Sequence, residues 1–452
     1  MELPKVKNAF FIGIGGIGMS ALARYFVSLG IRVSGYDRYR GHVVKSLEEE
    51  GVALCFEDSL ETAESFSSTI EDTLVVYTPA IANTSALLNY YKEHGFQLKK
   101  RSEVLGMITR NSYCFAVAGT HGKTTTSALL TFILRYGGVD CTGFMGGIVS
   151  DFKSNLVIGQ SNVTVVEADE YDRSFLHLSP DMALISSMDP DHLDIYGDEN
   201  QMRDSFLAFA DKIKKGGKLF AHKKLGLDLA HYSYAVAEEA DFYADNIKVD
   251  DGDYCFDLHL KDDKVNNVQV GLPGIHNIEN AVAAAGMAYD YGVSPELIAS
   301  AIGAFKGVYR RFETHYKTER FVYIDDYAHH PEEIRMCLLS AKEMYPERKL
   351  TVVFQPHLYS RTRDFSKGFA ESLSMADEVY LLDIYPAREL PIAGVDSKLI
   401  GDQMDFVPHY IDFSEIEAPV KDKSEGLIIT LGAGSIDEWV PTLKETLKRK
   451  EA

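Results

Sequence analysis

A chain of 452 residues exceeds what one hydrophobic core supports, and ordinary domain sizes divide it into about three units. Its 46 Lys and Arg face 67 Asp and Glu, a formal charge of −21 that argues against nucleic acid or an anionic membrane as a main partner; small anions remain open to local clusters of cations and helix N-termini. Five scattered cysteines without a Cys-x-x-Cys pair exclude a disulfide frame or thiolate zinc site, and the lack of a signal-like N-terminus or a long apolar run sets the expectation of a cytoplasmic protein.

Residues 8–37 read as strand, glycine turn, helix, strand. Gly13, Gly15 and Gly18 match G-x-G-x-x-G between strand and helix, and Asp37 closes the second strand where an acid reaches a ribose. That hardware suits a nucleotide diphosphate, and NAD and a UDP-sugar satisfy it equally. Further strands are expected over 52–56 and 73–78, the second running into Pro79 and Ile81 at the carboxyl edge of a parallel sheet, where open α/β sheets bind ligands. A helix from Arg101 to Arg110 leads out of this unit, with a boundary near 108–112.

An apolar strand over 114–118 then runs into Gly119, Thr120, His121, Gly122, Lys123, Thr124 and Thr125 and an apolar helix. Such a loop delivers backbone N–H groups to a helix N-terminus, a place to hold phosphate. Lys123 neutralises β/γ-phosphate charge, and the Thr124 hydroxyl suits the Mg²⁺ that travels with ATP. Val117 stands where the first glycine of the full pattern belongs. Residues 143–147 read as a glycine-rich loop, and a buried strand over 162–167 ends in Glu167, Asp169 and Glu170, of which Glu167 is the candidate to bring a carboxylate to the metal. After a strand over 181–188, His192 among Asp189, Asp191 and Asp194 is a candidate ligand for a second divalent ion.

Residues 215–270 read as patchy strand pieces and charged turns. An Ala-rich helix follows Gly274, with Asn277 and Asn280 in its first turn either capping N–H groups or presenting amides to a base. Arg310 and Arg311, in a glycine-led linker, suit an anion. A third α/β unit follows, with strands over 321–325, 350–354, 378–383 and 426–430, each ending in a polar or glycine loop, and a charged helix over 442–452. His, Tyr, Arg and Asp at one sheet edge read as a binding face.

Together, the segments Gly119-Thr-His-Gly-Lys-Thr-Thr-Thr126, Glu167-Ala-Asp-Glu170, Asp191-His-Leu-Asp194, His276-Asn277 with Asn280, and Asp326-Tyr-Ala-His-His-Pro331 resemble the Mur ligase family, in order and along the whole chain. The resemblance implies an α/β protein of three domains: a Rossmann-like N-terminal domain over 1–110, a central P-loop ATPase-like domain over 111–312 and a C-terminal Rossmann-like α/β domain over 313–452. It implies UDP-N-acetylmuramate in the first, ATP and Mg²⁺ in the second and an amino acid in the third. The glycine loop closed by Met19-Ser20 and the run from Phe354 through His357, Tyr359 and Arg361 to Arg363 direct the amino acid to L-alanine.

Position by position, the resemblance sets Gly15, Gly16, Ile17, Gly18, Met19 and Ser20 on the UDP diphosphate, with Asp37 beside them, and Gly119, Thr120, His121, Gly122, Lys123, Thr124 and Thr125 around the ATP phosphates. Thr124 and Glu167 would hold one magnesium and His192 the second. Asn277 or Asn280 would meet adenine, Arg310 or Arg311 a phosphate, and Asp326 the ribose. His330, His357, Arg361 and Arg363 would line the amino-acid and muramyl side, so the catalytic set is Lys123, Glu167, His192, His330 and Arg363. Residues 200–207 contain no lysine, so no carbamate is expected, and Tyr77-Thr78-Pro79 departs from the family's uridine loop. The implied reaction joins the lactyl carboxylate to alanine through an acyl phosphate, in a monomer or homodimer. Addition of a preformed tripeptide to the same sugar nucleotide, an NAD-dependent oxidoreductase, and a nucleotide-binding protein without chemistry remain the alternatives.

Overall fold

The structure, a computed structural model, describes residues 6–66, 69–189, 196, 198–250, 253–272, 274–387 and 389–451. Among the described residues, apolar runs punctuated by glycine turns build three sheets. The first comprises β1 (Asn8–Ile12), β2 (Arg32–Tyr36), β3 (Ala53–Cys55), β4 (Thr73–Tyr77) and β5 (Gln97–Lys100), all parallel, in the order β3-β2-β1-β4-β5. The central strands β1 and β4 are buried almost along their whole length and read as apolar runs, whereas β2, β3 and β5 are partly exposed. Ala9 and Phe11 of β1 pack into one core while Phe10 and Ile12 pack into another, the period of two expected of a strand.

The second sheet holds β6 (Tyr113–Ala118), β7 (Thr142–Val149), β8 (Ser154–Val157), β9 (Val163–Glu167), β10 (Met182–Ile185), β11 (Lys218–His222), β12 (Tyr232–Val236), β13 (Phe242–Asp250), β14 (Asp253–Leu260) and β15 (Asp263–Val270). Their order is β15-β14-β13-β12-β11-β10-β6-β9-β7-β8, with a parallel run from β13 to β7. Two expectations are corrected here. Residues 143–147 are not a loop but the body of β7, and 215–270 is not patchy but supplies five consecutive strands. Glycine composition suggested a loop at 143–147; the backbone stays extended because the glycines admit close neighbours, Gly143 against Thr131 and Gly146 against Glu167.

The third sheet contains β16 (Glu313–Lys317), β17 (Phe321–Asp326), β18 (Leu350–Phe354), β19 (Glu378–Leu381), β20 (His409–Tyr410) and β21 (Gly426–Leu431), in the order β16-β17-β21-β18-β19-β20. Among the described residues of this sheet, the edge strand β16 alone runs antiparallel to its neighbour. Phe321, Tyr323, Val353, Ile428 and Trp439 centre its core. The expected α/β class with parallel sheets is therefore observed.

The chain divides into two compact units. One holds the chain up to Asp245 with Asp257–Val268 and Glu279–Phe305; the other holds Asn246–Phe256, Gln269–Ile278 and the chain from Lys306. In the first unit the helix Ile17–Ser28 is shared by two sheets: its Met19, Leu22 and Phe26 lie in one continuous core with Phe144, Leu156 and Val166. Asn155, fully buried on β8, donates to the Ile17 carbonyl at 2.5 Å and the Ser20 hydroxyl at 3.1 Å and accepts from Arg24 at 2.7 Å. Among the described residues no helix is long and apolar enough to cross a membrane.

Candidate active site

The N-terminal glycine loop sits at the carboxyl ends of β1 and β2. Gly13 turns the chain at φ 87°, beside Thr78 and Ile81 of the loop after β4, so the loop expected at the sheet edge does reach it. The Gly15 N–H donates to the Asp37 carboxylate at 2.8 Å. A side chain at Gly15 would collide with Asp37 and Val44. Ser20 N–H bonding to the Gly16 carbonyl opens the helical ladder, so the N–H groups of Ile17, Gly18 and Met19 precede it. N–H groups at a helix N-terminus are of the kind that suits an anion. Asp37 spends one oxygen on the Gly15 N–H and the other on the Tyr39 N–H at 3.2 Å, ordering the loop.

The central glycine loop follows β6 in the same way. Gly119 (φ 137°) and Gly122 (φ 79°) take conformations that favour glycine, and Gly122 caps the helix Lys123–Tyr136. Its ladder begins with Thr126 N–H to the Gly122 carbonyl at 2.9 Å, which leaves the N–H groups of Lys123, Thr124 and Thr125 ahead of it. Two serines that the sequence did not single out hold the loop. Thr120 and Ser187 share a hydroxyl hydrogen bond of 2.8 Å, the His121 N–H donates to the Ser187 hydroxyl at 2.9 Å, and the Ser186 hydroxyl donates to the His121 carbonyl at 2.6 Å. A Cβ on Gly119 would overlap Ser186. Asn280 belongs to this loop too: its Oδ1 accepts from the Thr126 hydroxyl at 3.0 Å and stands where a Gly122 side chain would be.

The ammonium of Lys123 is turned back on the loop, donating to the Gly119 carbonyl at 2.6 Å and to Glu170 at 2.8 Å. Burial works against its charge, but Glu170, Glu167 and Asp169 outweigh it and raise its pKa. Burial pushes the Glu170 carboxyl up to about 7 against the pull of Lys123, and Asp169 adds to the rise. Glu170 is only 2 % exposed and was missed as a site residue. Glu167 ends β9 directly beside β6, since Val117 pairs with it in register, and accepts the Gly146 N–H at 2.9 Å. Thr124 is buried in the first helical turn.

The hard oxygens of Glu167 and Thr124 suit Mg²⁺, which is commonly held by one or two protein groups plus substrate phosphates. Among the described residues no cluster of three His, Cys, Asp or Glu could hold a metal alone. His192, with Asp191 and Asp194, lies outside the described residues.

In the second compact unit, Arg310 is committed to structure. Its guanidinium donates to Asp325 at 2.9 Å and to the carbonyls of Gly432 at 2.5 Å and Gly434 at 3.1 Å, so of the two arginines Arg311, over the Tyr327 ring at 5.1 Å, is the one left for an anion. Asp326 accepts N–H groups from Phe312 at 2.6 Å and Ala328 at 2.7 Å; burial raises its pKa to about 6, with Arg311 opposing. Asn277, buried in the first turn of the helix Ile275–Tyr291, donates its N–H to the Gly274 carbonyl.

His330 caps the helix Pro331–Met344 and packs its ring on Phe365 at 4.9 Å. His329 meets His357 at 5.8 Å, and His357 stacks on Tyr385 at 5.9 Å. Burial lowers the His329 pKa to about 4, against the pull of Glu333. Leu358, at φ 70°, strains the backbone at the start of the helix Tyr359–Leu373, which carries Arg361 and Arg363. Arg363 is half exposed and pairs with its neighbour Asp364 at 2.7 Å. The edge expected to bind a ligand thus brings together His329, His357 and Tyr385, while Arg363 faces solvent.

Three family models cover the chain: "Mur ligase family, catalytic domain" over residues 9–113, "Mur ligase middle domain" over 117–288 and "Mur ligase, glutamate ligase domain" over 310–434. The UDP-N-acetylmuramate–L-alanine ligase of Flavobacterium johnsoniae is 48 % identical over 99 % of both chains, and that of Flavobacterium psychrophilum 47 % identical over 100 % of both. Among solved structures, the UDP-N-acetylmuramate-alanine ligase of Thermotoga maritima superposes with a TM-score of 0.83 at 25 % identity, over 98 % of this chain and 99 % of that one.

Proposed function

The chain belongs to the Mur ligase family, and from that premise we infer that it is an ATP-dependent ligase forming an amide between the lactyl carboxylate of UDP-N-acetylmuramate and L-alanine, a step of peptidoglycan synthesis. The observation that carries the reading is the pairing of two separately built glycine loops, one closed by Asp37 and one by Lys123, Glu167 and Glu170. An oxidoreductase needs only the first. A ligase that draws on one nucleotide to extend another needs both.

A carboxylate does not acylate an amine at neutral pH, because its leaving group would be oxide. In the proposed sequence the lactyl carboxylate attacks the γ-phosphorus of ATP and releases ADP; the alanine amine then attacks the acyl phosphate carbonyl and expels inorganic phosphate. Both steps are chiefly positioning and charge neutralisation. The N–H groups of Lys123, Thr124 and Thr125 would cradle phosphate oxygens, and the Lys123 ammonium would swing from Glu170 to the γ-phosphoryl group. Glu167 and Thr124 would hold Mg²⁺, which when bound supplies further charge neutralisation. His192 stays a proposed ligand of a second ion, and Asn277 or Asn280 a proposed adenine contact.

The alanine amine must arrive uncharged to attack. His330, His357, Arg361 and Arg363 are proposed to receive the amino acid, with Arg311 on phosphate and Asp326 on ribose. We propose three functional regions, over 1–110 for the sugar nucleotide, 111–312 for ATP and 313–452 for the amino acid. Both nucleotides are cytoplasmic metabolites, so the reaction belongs there. The test is mass analysis of the product: the sugar nucleotide must gain one alanine residue, and competition with a muramyl-type tripeptide must favour alanine. Preferred transfer of the tripeptide would reassign the substrate.

A further inference from the structure

The turn that follows β9 reaches in two directions. Asp169 accepts from the Arg101 guanidinium at 2.8 Å, Glu170 takes the Lys123 ammonium, and Asp172 accepts from Lys100 at 2.8 Å. Lys100 and Arg101 are consecutive, at the junction of β5 and the helix Arg101–Arg110, and so belong to the sheet that carries the first glycine loop. Arg101 also lies against that loop. A Cβ added to Gly18 would meet its Nη1 at 2.6 Å and its Cζ at 3.2 Å.

The turn between these tethers is strained. Asp172 and Arg173 both adopt φ 53°, left-handed conformations that non-glycine residues take at a cost and keep only where their surroundings hold them. The Tyr196 hydroxyl steadies the middle of the turn by donating to the Glu170 carbonyl at 2.5 Å. Two cations from one nucleotide-binding sheet therefore hold in place the carboxylate that occupies the lysine of the other.

We propose that Arg101 and the 169–173 turn couple the two nucleotide sites, so that a nucleotide diphosphate on the first glycine loop tightens binding of ATP on the second. This rests on the assignment of the first loop to a UDP-sugar. The diphosphate arrives beside Gly18 and competes with Asp169 for the guanidinium, which pairs with phosphate oxygens in a bidentate geometry that a carboxylate 38 % exposed to water does not outmatch. Loss of that tether relaxes the strained turn, draws Glu170 from Lys123 and releases the ammonium for phosphate. Arg101 is a positioning residue for Lys123, acting through Asp169.

Coupling of this kind is reciprocal, and the measurement follows from that. Calorimetric titration of the whole protein with a non-hydrolysable ATP analogue and Mg²⁺, with and without saturating UDP-N-acetylmuramate, should show at least ~5-fold tighter binding when the sugar nucleotide is present. In Asp169→Asn, which cuts the tether while keeping the side chain's shape, the analogue should bind near the tightened value from the start, with a ratio close to one. Lys100→Gln, which cuts the other tether, should move the ratio the same way. A merely structural role would weaken the variants without changing the ratio. A ratio of one in the wild type, or an unchanged ratio in both variants, would overturn the coupling while leaving the site assignments intact. Failure of UDP-N-acetylmuramate to bind the wild type would overturn the first-loop assignment and this inference with it.

Discussion

The Lys123 ammonium and the Glu170 carboxylate lie 2.8 Å apart, the first 14 % exposed and the second 2 %. The pair lies against the central glycine loop, through the Lys123 bond to the Gly119 carbonyl, and it fixes what substitutions there should do. Lys123→Ala removes the cation proposed to meet the γ-phosphoryl group. It should lower kcat by at least ~100-fold with the fold intact, as loss of one transition-state donor does. Steady-state turnover beside a circular dichroism melt checks this, and near-normal turnover would remove the loop from the mechanism.

Glu170→Ala leaves a largely buried ammonium without its main counter-ion. The nucleotide-free protein should lose about 3 kcal/mol of stability, the usual consequence of deleting one partner of a buried pair. Because ATP phosphates can replace the lost carboxylate, Mg-ATP should raise the melting temperature of the variant more than that of the wild type. Equal shifts in the two proteins would show that Lys123 does not reach the nucleotide.

Gly146 has room for no side chain, since a Cβ there would overlap the Glu167 carboxylate that its N–H now holds. Gly146→Ala should therefore displace Glu167 and weaken the Mg²⁺ dependence. Titration of activity with Mg²⁺ should give a markedly higher half-saturation in the variant, with UDP-N-acetylmuramate affinity unchanged. An unaltered Mg²⁺ curve would take Glu167 out of the metal site.

His329 titrates well below its ordinary range because burial disfavours the imidazolium. A folded pKa near 4 against an unfolded 6.5 means that the unfolded chain binds the extra proton between those values. The contribution of His329 to stability is therefore present above pH 6.5 and lost as pH falls toward 4. Relative to His329→Asn, the wild type should gain on the order of 3 kcal/mol over that rise in pH, measured by urea unfolding at each pH. A pH-independent difference would show that His329 is not held neutral.

Both glycine loops were legible because their chemistry is local: Gly-x-Gly-x-x-Gly and Gly-Lys-Thr each sit within one strand-turn-helix, and the structure builds both as read. Glu170 was named only as one of three acids, since its burial against Lys123 depends on how the 169–173 turn folds back. Arg101, Asn155, Ser186 and Ser187 act across long sequence separations that no periodicity signals. The paired arginines read alike in sequence, and it is Asp325 with the carbonyls of Gly432 and Gly434, all distant in the chain or reached only through the fold, that marks Arg310 as internal. Gly143 and Gly146 read as loop because the packing that requires them, against Thr131 and Glu167, is also long-range.

The central claim is that ATP is consumed to join alanine to a sugar nucleotide, and phosphate release with omissions tests it most directly. With ATP, Mg²⁺, UDP-N-acetylmuramate and L-alanine all present, phosphate should appear in equal amount with the alanylated nucleotide, and omission of any one component should abolish turnover. Phosphate released at the full rate without alanine, or no ATP consumed in the complete mixture, would contradict the account.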